Sequence, residues 1–116
     1  MATVRIADLS LRAIIGINKW EREKKQDVII NIAFDFDAQK AIQSDDINDT
    51  VDYKDMKQKI VAFVEKSNFN LVEKLADEVL NIVMADPKVE NAHIKIDKPS
   101  ALRFAKSVSI ELSRTK

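Results

Sequence analysis

The spacing of apolar residues changes twice along this chain, and that change limits the fold more than any other feature. The segments VRIADLSLRAIIGI and DVIINIAFDFD alternate between apolar and polar residues, as half-buried strands do. The segments DYKDMKQKIVAFVEK and LVEKLADEVLNIVMA repeat apolar residues at helical spacing, and alternation returns in KVENAHIKID and SVSIELS. The order ββααββ predicts an α+β fold, in which an antiparallel four-stranded sheet carries two helices on one face.

The residues that share these faces form the predicted core. They are Val28, Ile30, Ile32, Phe34 and Phe36 in the second strand, Met56, Ile60, Phe63, Val64, Leu71, Leu75, Val79 and Ile82 in the helices, and Ala92, Ile94, Ile96, Val108, Ile110 and Leu112 in the last strands. In the first strand the apolar parity changes near Ala7–Asp8, which predicts a β-bulge there. The charged segment NKWEREKKQ is expected to be a hairpin loop, and Pro87 to end the second helix.

Composition excludes several classes of function. The 116 residues suit one domain, residues 1–116, and 19 basic against 19 acidic residues give no net charge to attract nucleic acid. Without cysteine and with His93 as the one histidine, neither thiolate nor multi-imidazole metal sites are available, so no metal is expected. The start MATVRIADLS does not resemble a signal peptide, and no apolar run approaches a membrane span. We therefore expect a soluble cytoplasmic protein without membrane contact.

The predicted sheet has two edge strands whose backbone groups are unpaired. The last strand, SVSIELS, has little charge and no proline, the two features that usually discourage edge pairing. We therefore expect oligomers in which sheets of neighbouring chains join edge to edge.

Four motifs in this order resemble the dihydroneopterin aldolase and epimerase family of folate and pterin metabolism. They are IGINKWE, DINDTVDY, FNLVEKLADEVL and IDKPSALRFAKSVSIEL, and they extend over nearly the whole chain. The resemblance implies a tunnelling fold (T-fold), a homotetramer or homo-octamer whose strands close a barrel, and a small-molecule pterin substrate. It also implies catalysis without a cofactor.

The chemistry of that family is a retro-aldol cleavage, which requires a base and an electron sink. Aldolases usually supply the sink as a lysine imine or a zinc ion. A 7,8-dihydropterin contains a C=N bond next to its side chain, so the substrate itself is the sink. The protein then has to hold the ring and move protons.

Lys98 is the candidate for the central acid–base role. It is predicted to end a strand, with φ fixed at Pro99 and the small residues Ser100 and Ala101 leaving space for a ligand. A partly desolvated lysine, or one near other cations, loses its proton more readily. The resemblance implies that Lys98 acts through water and not through an imine. The alternative is an ordinary solvated lysine.

Glu73 is the candidate anchor for the pterin ring, since one carboxylate can accept two parallel hydrogen bonds from neighbouring N–H groups. The resemblance implies this role, with backbone groups near Val72 and Val51 completing the contact. The local pattern permits another interpretation. Asn70-x-x-Glu73 has the spacing of a helix capping box, which would explain the glutamate without a ligand.

The remaining site residues are implied by the resemblance alone. Tyr53 would place its hydroxyl beside the bond that breaks, in the site of a neighbouring subunit, and Glu21 would contact the reacting side of the pterin and the catalytic water. The residues themselves favour other interpretations, in which Tyr53 is an ordinary half-buried tyrosine and Glu21 a solvated loop residue. Trp20 resembles the aldolase branch of the family.

The string KPSALRFAKSVS resembles the sister branch, the dihydroneopterin triphosphate 2′-epimerases, because aldolases often have KPGA there. Both reactions share the cleavage step. Release of glycolaldehyde gives 6-hydroxymethyl-7,8-dihydropterin, whereas re-addition to the opposite aldehyde face gives the epimer. Basic residues that could bind a triphosphate are Lys19, Arg22, Lys24, Arg103 and Lys106. The sequence prediction is an aldolase, with the epimerase as its alternative.

A non-catalytic pterin-binding or interaction module is the rival from another class. Common RNA-binding sheets have the order βαββαβ and exposed aromatic residues. Here Phe34 and Phe36 share the apolar parity of the second strand, which indicates core positions and not a base-stacking surface.

Overall fold

A single antiparallel sheet organises the computed structural model, which describes residues 1–99 and 101–116. Its strands in that part of the chain are β1 (Ala2–Ala13), β2 (Gln26–Phe36), β3 (Val89–Pro99) and β4 (Ser107–Thr115), in the order β1-β2-β3-β4. The helices are α1 (Lys19–Glu23), α2 (Gln39–Ser44), α3 (Tyr53–Lys66) and α4 (Val72–Met84), with a 3-10 turn at Ile47–Asp49. The predicted fold class is confirmed.

The core lies between the sheet and the two long helices. All five predicted core residues of β2 are buried, because strict alternation puts them on the face against which α3 and α4 pack. Helix α3 contributes Met56, Ile60 and Val64. Helix α4 contributes Leu75, Ala76, Val79, Leu80 and Val83.

The predicted bulge in β1 is confirmed. The register with β2 shifts between Ile6 and Leu9, and Asp8 has the left-handed φ of 53°. The backbone N–H of Asp8 donates to Oδ1 of Asn31 at 2.9 Å, so a neighbouring strand satisfies a group that the ladder leaves free.

The structure corrects several local predictions. The segment NKWEREKKQ contains the helix α1, and the predicted core residue Leu71 is exposed because it precedes α4 as its N-cap. The predicted stop near Pro87 agrees with the structure, because α4 ends at Met84 with Ala85 as its C-cap, two residues before this proline. Strand β3 does not stop at Lys98 but continues through Pro99, which pairs with Ser107.

Strands β1 and β4 are the sheet edges. The guanidinium of Arg114 joins β4 to α4 through Asp77 and Asn81, so this edge is fixed to the helical layer. None of the helices in the described part of the chain is long and apolar enough to cross a membrane.

Candidate active site

Glu21 and Lys98 form an ion pair at one end of the sheet. Nζ of Lys98 donates to Oε2 of Glu21, although 77 positions separate the two residues in sequence. Glu21 is 5% exposed and the Lys98 side chain 12%, so water reaches little of either group. The structure thus brings together two of the three predicted catalytic residues, and Glu21 is not the solvated loop residue that its charged surroundings suggested.

Hydrogen bonds from three residues hold the Glu21 carboxylate in place. Oε1 accepts from the backbone N–H of Asn18 at 3.2 Å and from its Nδ2 at 2.8 Å, while Oε2 accepts from Nε2 of Gln26 at 3.2 Å and from Lys98. The Gln26 amide also donates to the Ile15 carbonyl at 2.8 Å, which connects the carboxylate to the end of β1. A buried carboxylate needs such donors, because an unpaired one would be strongly destabilising.

The pKa of Glu21 reflects this environment. Burial alone would raise it, but hydrogen bonds from Lys98, Asn18 and Gln26 and the positive charge of Lys98 outweigh burial. The net result lowers the pKa from 4.5 to about 2. Glu21 is therefore a fixed negative charge at neutral pH, suited to orienting Lys98.

Gly16 makes room for this carboxylate. Its φ is 124°, a conformation that other residues rarely adopt, and a Cβ at this position would overlap the carboxyl group of Glu21. The N–H of Gly16 donates to the Phe69 carbonyl at 3.4 Å, so the α3–α4 loop lies directly against the β1–α1 loop.

Glu73 is the second residue of α4, at the same end of the molecule, because the α3–α4 loop leads into this helix within three residues of Phe69. The capping-box interpretation is wrong. Leu71 is the N-cap of α4 and makes no side-chain cap bond, which leaves Glu73 exposed. Val72, beside it, is half-buried.

Tyr53 and Val51 lie at the other end of the helical layer. Tyr53 is the first residue of α3 and is 61% exposed, and Val51 is buried just before it. Since α3 has 14 residues, its two ends are roughly 21 Å apart. The structure therefore does not bring Tyr53 to the Glu21–Lys98 pair of the same chain.

The β3–β4 connection lies beside the ion pair. Ser100 is outside the described residues, and the part from Ala101 onward is exposed. The guanidinium of Arg103 lies 5.5 Å from the ring centre of Phe104. Within residues 1–99 and 101–116, no three side chains of the metal-ligating types are grouped so as to hold a metal ion.

Sequence reasoning missed Asn18, Gln26 and the packing role of Gly16. The spacing Asn18-x-x-Glu21 was a usable signal, because the glutamate of a capping box turns back to the preceding backbone N–H. No sequence pattern pointed to Gln26, because its hydrogen bond to Glu21 depends on the tertiary position of Glu21.

Comparison with known proteins identifies the family of this chain. The model of the family described as FolB, dihydroneopterin aldolase, matches residues 4–113. The chain is 43% identical to the dihydroneopterin triphosphate 2′-epimerase of Escherichia coli, over 97% of this chain and 93% of that one. It is 34% identical to the E. coli dihydroneopterin aldolase, over 98% and 93%. The crystal structure of E. coli dihydroneopterin aldolase in complex with neopterin superposes with a TM-score of 0.92 and 34% identity, covering 98% of this chain and 99% of that one. The chain therefore belongs to the dihydroneopterin aldolase family.

Proposed function

We propose that this protein catalyses a cofactor-free retro-aldol cleavage of the side chain of a 7,8-dihydropterin. The observation that carries the proposal is the ion pair between the half-buried Lys98 and the buried Glu21. It places an amine, oriented by a fixed carboxylate, at the end of the sheet next to the start of α4, where Glu73 can anchor the ring.

The cleavage balances with proton transfers alone. A base takes the proton from the 2′-hydroxyl, the C1′–C2′ bond breaks, and its electron pair moves into the adjacent C=N bond of the dihydropterin. C2′ leaves as an aldehyde. The C1′ carbon of the intermediate then takes up a proton, or attacks the opposite face of the aldehyde and forms the epimer.

In this proposal Lys98 exchanges protons with the substrate through water, and Glu21 orients it. Glu73 accepts hydrogen bonds from the pterin ring, with backbone groups near Val72 and Val51 completing the contact. Tyr53 helps to protonate the intermediate. Its separation from Lys98 within one chain supports a site shared between two chains, in which the neighbouring copy contributes Tyr53 and Val51. A homotetramer or homo-octamer joined through the β1 and β4 edges would provide such sites, and the cytoplasm would be its location.

Epimerisation of dihydroneopterin triphosphate is the outcome that the comparisons favour. The chain is 43% identical to an E. coli epimerase and 34% to the aldolase of the same organism. Exposed Arg103 and Lys106, on the connection that follows Lys98, are suited to contact a polyphosphate. The aldolase activity that the sequence prediction put first is the second candidate, supported by Trp20 and by the high TM-score with the neopterin complex.

A product analysis tests the proposal. The purified protein is incubated separately with dihydroneopterin and with its triphosphate, and the products are quantified by chromatography. We expect the triphosphate to give its 2′-epimer with a higher kcat/KM than dihydroneopterin gives 6-hydroxymethyl-7,8-dihydropterin. Cleavage products alone would establish the aldolase instead, and the absence of both products would overturn the retro-aldol proposal. Neopterin binding without turnover would support the binding-module alternative.

A further inference from the structure

Arg22 connects two loops of the candidate site through backbone carbonyls. Its Nη1 donates to the carbonyl of Phe69 at 2.9 Å and to that of Gly16 at 3.2 Å, and its Nη2 donates to the carbonyl of Asn68. In the described part of the chain Arg22 forms no ion pair with a carboxylate. Its contacts therefore determine geometry and do not neutralise an acidic partner.

The two loops that Arg22 joins carry different parts of the site. Gly16 belongs to the loop whose shape accommodates the Glu21 carboxylate, and Arg22 directly follows Glu21 on α1. Asn68 and Phe69 lie between α3 and α4, a few residues before Glu73. The remaining direct bond between the loops, from the Gly16 N–H to the Phe69 carbonyl, is long at 3.4 Å.

Arginine is well suited to this position. Its planar guanidinium has several donors in a rigid fork, so one side chain can satisfy carbonyls from two loops, whereas lysine has a single flexible point of contact. Asn68 and Phe69 also follow the C-terminal end of α3, where the helix dipole favours a positive charge.

We propose that Arg22 is a positioning residue that fixes the first turn of α4, and with it Glu73, relative to the Glu21–Lys98 pair. This inference rests on the proposed function, since it assigns Glu73 to the pterin ring. Without the Arg22 bridge, the ring anchor and the proton-transferring pair lose their fixed separation.

Neopterin binding measured by fluorescence titration tests the inference. We expect Arg22→Gln to weaken binding about tenfold and Arg22→Lys to lie between it and the unchanged protein. Arg12→Gln is the matched control. Arg12 is an exposed arginine of the same hairpin that donates to the Lys25 carbonyl at 3.0 Å, and its loss should leave affinity unchanged.

A double-mutant cycle separates positioning from general destabilisation. If Arg22 acts through Glu73, then Arg22→Gln should weaken binding less than about twofold in a Glu73→Gln background. Equal losses in both backgrounds, or full affinity in Arg22→Gln, would overturn the inference.

Amide hydrogen exchange without ligand distinguishes this inference from the proposed function. We expect Arg22→Gln to accelerate exchange at Gly16 and across residues 69–73 by about tenfold, while the centre of β2 is unaffected. Unchanged exchange there would overturn the bridging role. Failure of the unaltered protein to bind neopterin would instead overturn the pterin proposal.

Discussion

The two hairpin connections at the end of the sheet that holds the Glu21–Lys98 pair are built differently. The β1–β2 connection, residues 14–25, contains α1, buries Ile15 and Glu21, and is held by the side chains of Arg22 and Gln26. In the β3–β4 connection, described from residue 101 to 106, every residue is exposed, and Phe104 is fully exposed with a φ of 68°. The register of Ile29 with Asp97 places both connections at the same end of the sheet.

The two connections therefore suit two different tasks, which are to hold a side chain in place and to leave the site accessible. A carboxylate that orients a lysine has to be held within a few tenths of an ångström, and the first connection supplies buried hydrogen bonds for that purpose. The exposed connection, which includes Arg103 and Lys106, is accessible to solvent and, in the proposed function, to the charged tail of a substrate. The Glu21–Lys98 ion pair joins the buried β1–β2 connection to strand β3, which leads into the exposed β3–β4 connection.

The largest expected effect follows from removing the amine. Lys98→Ala should lower turnover about a thousandfold, the scale of a lost general acid–base group, while neopterin still binds. Turnover measured at saturating substrate checks this. Lys95→Ala is the control because Lys95 lies on the same strand and, within residues 1–99 and 101–116, forms an ion pair only with Asp97, at 3.8 Å. A normal rate in Lys98→Ala would remove Lys98 from the mechanism.

The same variant tests whether the site is shared between chains. Lys98→Ala and Tyr53→Phe, each of which should have low activity if the proposed roles hold, are unfolded together in equal amounts and refolded so that the two chains mix in the oligomers. If each site takes Lys98 from one chain and Tyr53 from another, about one quarter of the sites recover both residues. No recovery in mixed oligomers would place both residues in one chain's site, against the separation along α3.

A smaller effect is expected on acid stability. The folded-state pKa of Glu21 is lowered from 4.5 to about 2, so its contribution to stability is complete above about pH 4.5 and is lost as the pH falls towards 2. Glu21→Gln should destabilise the protein by about 3 kcal/mol at neutral pH, because Lys98 loses its buried partner. The difference in unfolding free energy between the two proteins should narrow towards pH 3.

Urea unfolding at neutral pH and near pH 4 and 3 measures this difference. Glu23→Gln, which changes an exposed carboxylate of the same helix, is the matched control and should follow the unaltered protein. A gap between Glu21→Gln and the unaltered protein that stays constant with pH would show that Glu21 does not have the low pKa.

The sequence was sufficient to predict the structural features that follow from the spacing of apolar residues. Alternation identified the buried face of β2, and the parity change near Asp8 identified the bulge, because both follow from the two-residue repeat of a strand. The burial of Glu21 could not be found this way. It depends on Lys98, which is close only after the sheet forms, and on Gln26, whose role no local pattern indicates.

The resemblance to a family supplied residues that periodicity could not select. Glu73 and Tyr53 have no local feature that distinguishes them from other exposed side chains, and the separation of Tyr53 from Lys98 became visible only with the length of α3. Arg22 is a residue that the resemblance did not identify either. Its three carbonyl contacts come from tertiary packing, so neither the resemblance nor the charge pattern assigned it a structural role.

The smallest expected effect is on the unfolding free energy when Phe104, in the exposed β3–β4 connection, is replaced. Phe104→Asn should change the unfolding free energy by less than about 0.5 kcal/mol, because the side chain is fully exposed and asparagine tolerates a positive φ. Thermal and urea unfolding check this, and Ile15→Ala in the buried connection is the contrasting variant, with an expected loss of about 2–5 kcal/mol. If Phe104→Asn were equally costly, the ring would have to be buried by a neighbouring chain, and the β3–β4 connection would be part of an interface and not an open entrance to the site.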